Sequence, residues 1–264
     1  MKPSISIEIE IDEFWFLLQK FAPAVVVGVE NPYPGWLIEE IKAKGKGAVL
    51  SLSARNLAHT LSETEVSIDE ALAAMVGTCA RPEHTLIVQS RTTRGGQAHA
   101  YVHFREGLIV IHVPVDRRKH LLSAVGSRED LVENLSDALR LRSEAEGVGN
   151  PFEVDETSLF QARDCCARGD KKEAITLLER SGMEKRVAEN LAEVLSRPVA
   201  NSTVVAIVHR AERGLSNIRG FALLEGSGQM WVMTPFERNE YHFVRFVPSK
   251  CESIREEFIR VLPQ

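Results

Sequence analysis

The residues best suited to chemistry are histidines that alternate along one segment and recur in the next. Residues 106–107, Glu-Gly, suit a tight antiparallel turn, because glycine tolerates the positive φ that such turns require. That turn places Tyr101 opposite His112 and makes His103 and His112 diagonal neighbours on a sheet. The face they share carries the following set: His99, Tyr101, His103 and His112.

Two interpretations of this face compete. Imidazoles are preferred zinc ligands, and Glu106 or Asp116 could complete such a site. Alternatively, this is the less buried face, and the small and apolar residues that alternate with the histidines face the core. The matching strands later in the chain favour the second interpretation, because they carry no ligand set and instead have Ile218, Leu223 and Met233. We predict no metal site.

Catalytic motifs are absent from the sequence. There is no P-loop, no G-x-G-x-x-G after a strand, no H-E-x-x-H and no G-x-S-x-G elbow. We therefore predict that the protein is not an enzyme and has no catalytic or cofactor-binding residues. A metal-dependent enzyme that uses His99, His103 and His112 remains the alternative.

Two pairs of arginines stand in equivalent places in the two halves of the chain. Each pair brackets a glycine-containing turn between two apolar runs, where a loop can project and contact a partner. Solvated turn charges inherited from a common ancestor are the competing explanation. The candidate partner-binding residues are Arg91, Arg94, Arg210 and Arg213.

Charge and composition describe a globular protein with an acidic balance. The chain has 264 residues, is 44% hydrophobic and carries a formal net charge of −5. A dedicated nucleic-acid binder needs a strong basic footprint, so nucleic acid is not an expected partner. Lys42, Lys44 and Lys46 precede a predicted short helix and leave a DNA-binding regulator as a less favoured alternative.

Cysteine usage and hydropathy predict a cytoplasmic location. The four cysteines include no C-x-x-C spacing, which is typical of reduced, buried thiols. The first residues lack the basic start and apolar block of a signal peptide. The longest apolar run, 22–29, is too short to span a bilayer, so we expect no membrane insertion.

An internal duplication organises the elements. Residues 68–141 match residues 186–262; for example, Glu70 and Leu72 fall on Glu189 and Leu191. Each copy reads as a helix, three strands and a closing helix. The strands are predicted at 85–91, 98–105 and 108–113, and again at 203–209, 218–224 and 229–234.

The predicted fold is therefore α+β. It is internally duplicated and quasi-twofold, with antiparallel three-stranded sheets that are each flanked by helices. Such small sheets have exposed edges, which two copies can cover by pairing. We place an N-terminal α+β half at 1–146, a linker rich in glycine and proline at 147–152, and a C-terminal half at 153–264.

The order of these segments resembles the EspG family, which is associated with ESX (type VII) secretion. The resemblance rests on a strand that leads into residues 12–18 (DEFWFLL), then 36–41 (WLIEEI) ending near a glycine, then 72–79 running into 80–83 (ARPE). The three-strand block, the Pro114 turn and the closing helix continue it over nearly the whole chain.

The resemblance implies a cytosolic, non-enzymatic chaperone or adaptor. Such a protein binds a helical secretion substrate and keeps an aggregation-prone end of it soluble; PE/PPE pairs are the best-known clients in the family. The corresponding contact regions here are 91–97 or 210–218, together with the helices near 184–195 and 251–262. We expect a small helical protein client, and a homodimer is also conceivable.

Overall fold

The computed structural model describes residues 5–21, 26–62, 65–92, 96–139, 146–147, 149–210 and 214–263. Within these ranges the chain forms eight helices and twelve strands. In chain order the elements are β1 (Ser6–Glu10), α1 (Ile11–Lys20), α2 (Ile38–Ala54), β2 (Ala58–Thr60), β3 (Val66–Ile68), α3 (Glu70–Ala80), β4 (His84–Thr92), β5 (Gln97–Arg105), β6 (Leu108–Pro114), β7 (Lys119–Val125), α4 (Arg128–Ala138), β8 (Phe152–Asp155), α5 (Glu156–Ala167), α6 (Lys171–Arg180), α7 (Lys185–Ser196), β9 (Ala200–Arg210), β10 (Gly214–Gly226), β11 (Gln229–Arg238), β12 (Tyr241–Pro248) and α8 (Cys251–Val261).

A large antiparallel sheet confirms the predicted α+β class. Among the described residues, ten strands follow the order β1-β7-β6-β5-β4-β9-β10-β11-β12-β8, and β2 pairs with β3 separately. The described ladders are antiparallel, as in β5 with β6 and in β11 with β12. The Glu106-Gly107 turn has positive φ at both residues, 50° and 81°, which matches the predicted tight hairpin.

The prediction of three-stranded sheets is wrong. The block that follows α3 has four strands, β4 to β7, and the block that follows α7 also has four, β9 to β12. The fourth strands were missed because polar residues interrupt their apolar alternation, as with the buried His120 in β7. The turn before β12 also lacks glycine: Asn239 and Glu240 take positive φ values of 53° and 67°.

Two compact units make up the chain. Unit 1 comprises Met1–Ile87, His99–Leu131 and Ile207–Asn217, and unit 2 comprises Val88–Ala98, Val132–Ala206 and Ile218–Gln264. Each unit therefore takes segments from both halves of the sequence. The boundary at 147–152, with its halves at 1–146 and 153–264, and the common ancestry of the two copies stay predictions.

Unit 1 has an apolar core between helices α1 and α3 and strands β6 and β7. Phe14, Leu17 and Leu72 are among its fully buried side chains. Helix α1 begins after Glu10, whose backbone N–H donates to Oε2 of Glu13 at 2.9 Å. Arg55 also donates to that oxygen, at 2.6 Å, so the buried Glu13 carboxylate has a cationic partner.

Unit 2 has a separate core in which helices α5, α6 and α7 pack with strands β8, β11 and β12. Trp231 and Phe246 are its largest fully buried side chains, and Phe246 stacks on Phe152 with ring centroids 4.9 Å apart. Apolar residues on the inner faces of the three helices, such as Leu178 and Leu191, complete this core.

Helix α2 is longer than its sequence suggests. The sequence pattern predicts a helix over 36–44 that ends at Gly45 and a second short helix at 53–61, but one helix runs from Ile38 to Ala54 through both Gly45 and Gly47. A glycine inside a helix costs only about 1 kcal/mol, which surrounding contacts offset. The chain leaves the helix at Asn56, whose φ is 58°, and enters β2 instead. None of the helices in the described ranges is long and apolar enough to cross a membrane.

Candidate functional site

The four predicted partner-binding arginines are only partly described. Arg91 is exposed near the end of β4, and Arg210 is the last residue of β9, although its side chain is outside the described part. Arg94 and Arg213 lie outside the described residues. Their role in partner binding therefore stays a prediction.

The register predicted for the histidines is confirmed. In the β5–β6 ladder, Tyr101 lies opposite His112 and His103 lies opposite Val110. The rings of His103 and His112 stack with their centroids 5.9 Å apart, and the Tyr101 ring lies 5.4 Å from His112. His99 lies on β5 as well and is half-buried.

The interpretation of this face as the less buried one is wrong. His103 and His112 are both 0% exposed, because helices α1 and α3 pack on this face. The Phe14 ring lies edge-on to His112 and to His120, at 5.3 Å from each. Val102 on the opposite face is also fully buried, so at this point the sheet is covered on both sides.

The buried histidines form a hydrogen-bonded cluster that sequence reasoning found only in part. Nε2 of His112 and Nδ1 of His120 are 2.8 Å apart, so one of these nitrogens donates to the other. The Thr85 hydroxyl links Nδ1 of His103, at 3.2 Å, with Nε2 of His209, at 2.9 Å. We call these four histidines and Thr85 the histidine cluster. Recognition of β7 as a strand would have revealed His120. His112 lies opposite Leu122 in the β6–β7 ladder, and His120 is two residues before Leu122 and therefore points to the same face of the sheet.

Burial keeps the histidine cluster neutral. It lowers the pKa of His103 to about 3, with a smaller repulsive contribution from His209. It lowers the pKa of His112 well below its usual value, and repulsion from His103 and His120 adds to this effect. The pKa values of His120 and His209 are also lowered, mainly by burial. Each of the four histidines is therefore neutral near pH 7.

The cluster lacks the arrangement of a metal centre. In the described ranges no group of three or more His, Cys, Asp or Glu side chains is placed to hold a metal ion. Nε2 of His103 and Nδ1 of His112 are buried and have no hydrogen-bond partner among the described residues. Their chemistry is that of packed neutral rings, whose charging is opposed by the surrounding apolar side chains.

A groove with apolar walls opens on the surface of unit 1. Its volume is about 560 Å³, and most of its lining comes from α1 and α2. Phe16, Ile41, Val49 and Val66 are half-buried apolar side chains in this lining. Leu50 projects beside them and is 72% exposed. We call this feature the α2 groove.

Lysines flank the α2 groove. Lys20, Lys42 and Lys46 are exposed members of its lining, and no acidic residue belongs to the described lining. The ammonium group of Lys20 lies 5.3 Å from the centroid of the Phe16 ring. Lys44 does not join this rim, because it forms an ion pair with Asp12 at 2.9 Å. Lys42 and Lys46 therefore line the α2 groove, whereas Lys44, the third lysine of the possible DNA contact, lines a different cleft.

A second cleft in unit 1 has a volume of about 510 Å³, and most of the residues that line it are charged. Three of its charged residues, Asp12, Glu13 and Lys119, form ion pairs, with Lys44, Arg55 and Glu8 respectively. Asp12 accepts hydrogen bonds from the Tyr33 hydroxyl at 2.6 Å and from Lys44 at 2.9 Å. The ion pair of Asp12 with Lys44 joins α1 to α2 across this cleft.

A solved chaperone has a similar fold. The structure of the Mycobacterium tuberculosis type VII secretion system chaperone EspG5 in complex with a PE25-PPE41 dimer matches with a TM-score of 0.72. The match covers 98% of this chain and 97% of that chain at 14% sequence identity. No family model and no curated protein matches the sequence. This likeness confirms the EspG-like fold that the sequence resemblance predicted.

Proposed function

We propose that this protein is a non-enzymatic chaperone or adaptor that binds a helical protein client in the cytosol. The observation that carries the proposal is the end-to-end likeness to EspG5, a chaperone whose structure holds a bound PE25-PPE41 dimer. The likeness extends over 98% of this chain and 97% of EspG5, which supports a shared role for the whole fold. A client of a type VII secretion system fits the proposal best.

The four paired arginines are the residues we propose for client contact. Arg91 is exposed, and it precedes a connection between two central strands of the sheet. Arginine is enriched where protein surfaces recognise each other, because its planar group makes several hydrogen bonds with little loss of freedom. The set comprises Arg91, Arg94, Arg210 and Arg213.

Affinity purification from native lysate tests this function. We expect the wild-type chain to retain one small helical protein in stoichiometric amount. Changing all four arginines to glutamate should release that protein, whereas the double control Arg128→Glu and Arg163→Glu, on exposed positions of α4 and α5, should retain it. Absence of any stoichiometric partner across growth conditions contradicts the function. A partner that survives the fourfold change contradicts only the assigned surface.

A further inference from the structure

The α2 groove is open because of where glycine and apolar residues fall along helix α2. Ile41, Gly45 and Val49 are four residues apart and therefore lie on one face of the helix. Gly45 has no side chain, and a Cβ at that position would meet only the Phe16 ring, at 3.6 Å. The groove is thus shaped by a missing side chain between two apolar ridges.

Apolar side chains in and next to the groove remain exposed to solvent. Leu50 is 72% exposed, and Leu61 in the segment after β2 is 63% exposed. Isolated exposed apolar residues are ordinary, but Leu50 lines the groove together with the half-buried Phe16 and Val49, and Leu61 lies between the lining residues Thr60 and Ser62 in sequence. A contiguous apolar patch with a polar rim is typical of a protein-binding site.

The charge of the rim opposes the charge of the protein. The chain carries a formal net charge of −5, yet the described rim of the groove has three lysines and no carboxylate. Within the described part of the chain, neither Lys42 nor Lys46 forms an ion pair. A ligand that places carboxylates beside these lysines is favoured over a basic or neutral ligand.

We propose that the α2 groove binds an amphipathic α-helix of another protein, with apolar side chains at i, i+3 or i+4, and i+7 and acidic side chains on both flanks. The walls are mostly helical, and their backbone groups are already bonded within α1 and α2, so the groove offers little strand edge for an extended peptide. The ligand must satisfy its own backbone, as a helix does. This site goes beyond the proposed client surface and does not depend on it.

The dimensions of the groove fit a short helix. From Ile41 to Leu50 the axis of α2 rises by about 14 Å, at about 1.5 Å per residue. An antiparallel or parallel partner helix would be in contact over about two to three turns. The space of about 560 Å³ accommodates side chains from such turns without displacing the walls.

A pair of synthetic peptides tests the proposal on the full-length protein. The probe is a fluorescein-labelled, 18-residue amphipathic helix with leucines on one face and glutamates on both flanks. Its control has the same leucines, but every glutamate is replaced by lysine. Fluorescence anisotropy should show that the acidic peptide binds about tenfold or more tightly than the basic one, because three lysines attract the former and repel the latter. Salt should weaken this binding.

Protein variants locate the binding. Leu50→Glu should weaken the acidic peptide about tenfold or more, since it places a charge on the apolar wall. The double change Lys42→Glu and Lys46→Glu should remove the preference for the acidic peptide. The matched control is Val115→Glu, at another apolar position in unit 1 that is 53% exposed, and it should bind like the wild type. Each exposed substitution should leave the unfolding midpoint unchanged, which separates lost binding from lost folding.

Several results would overturn the proposal. No binding of the acidic peptide at high micromolar concentration is one, and equal binding of both peptides is another. Light scattering that shows a wild-type dimer and a Leu50→Glu monomer would assign the groove to a second copy of the chain. Flotation with phosphatidylserine vesicles that the double lysine change abolishes would assign it to a lipid surface. Because the probes are defined peptides, these results do not depend on whether a chaperone client is found.

Discussion

Acidification should destabilise unit 1 well before its carboxylates are protonated, because the histidine cluster is buried in the neutral state. Burial lowers the pKa of His103 from 6.5 to about 3 and lowers that of His112 in the same direction. In the unfolded chain both rings regain an ordinary pKa near 6.5. Below that pH the unfolded state binds protons that the folded state does not bind. The contribution of these histidines to the unfolding free energy is therefore fully present above about pH 6.5 and falls as the pH approaches 3.

The loss of unfolding free energy follows from the difference between the pKa of a histidine in the unfolded chain and its pKa in the folded protein. Each fully buried histidine should cost about 1.4 kcal/mol of unfolding free energy for every pH unit below 6.5. At pH 5 the cost is about 2 kcal/mol for His103, and His112 adds a further cost of the same sign. Even the loss from His103 alone is an appreciable part of the 5–15 kcal/mol by which a typical protein is stable. Asp116 favours the charged form of His120, so that ring should contribute less.

The assay is urea unfolding at pH values from 7.5 to 5, read by hydrogen exchange of peptides from β5 to β7. His103→Gln and His112→Gln keep a polar side chain; the first should reduce the pH slope by about 1.4 kcal/mol per unit, and the second should reduce it in the same direction. His242→Gln, on an exposed position of β12, is the matched control and should leave the slope unchanged. Parallel pH profiles for the wild type and the two cluster variants would refute the assignment of buried, neutral histidines.

Three further predictions concern stability and metals. Arg55→Met should lower the unfolding free energy by about 2–3 kcal/mol in urea titrations, because it leaves the buried Glu13 carboxylate without its cationic partner. The Arg55 side chain is 40% exposed, so an unchanged free energy would show that water can take the place of its guanidinium group. Gly220→Ala should lower the thermal midpoint, because a Cβ at that position would overlap the Val204 carbonyl oxygen. Gly47→Ala should instead raise the unfolding free energy by about 0.5–1 kcal/mol, because its Cβ would meet no atom within 4 Å, and equal effects of the two substitutions would contradict these contacts. Dialysis against a chelator should leave the thermal midpoint unchanged, and a fall of several degrees, restored by zinc, would instead support a metal-dependent protein.

The histidine cluster shows how far local pattern extends. The Glu106-Gly107 turn predicts the pairing of Tyr101 with His112, because a two-residue hairpin determines the register of both its strands. Burial of the same face depends on Phe14, which is distant in sequence and reaches the histidines only through the packing of α1. Alternation along a strand says which side chains share a face, but it does not say what covers that face.

The missed elements have a similar cause. Strand β7 carries the buried His120 at an inward position, where a sequence pattern predicts an apolar residue. The pairing of β7 with β6 brings His120 to its hydrogen-bond partner His112. Helix α2 continues through Gly45 and Gly47, so a local stop signal loses to tertiary packing. The α2 groove depends on that continuity and was therefore invisible to the sequence pattern.

The most direct test of the central claim is the solubility of the client. The protein recovered in the pull-down is expressed alone, with the wild-type chain, and with the fourfold arginine-to-glutamate variant, and its soluble fraction is measured after centrifugation. A chaperone predicts that the client aggregates alone and becomes soluble, in a stoichiometric complex, only with the wild-type chain. A client that is equally soluble in all three cases would contradict the account.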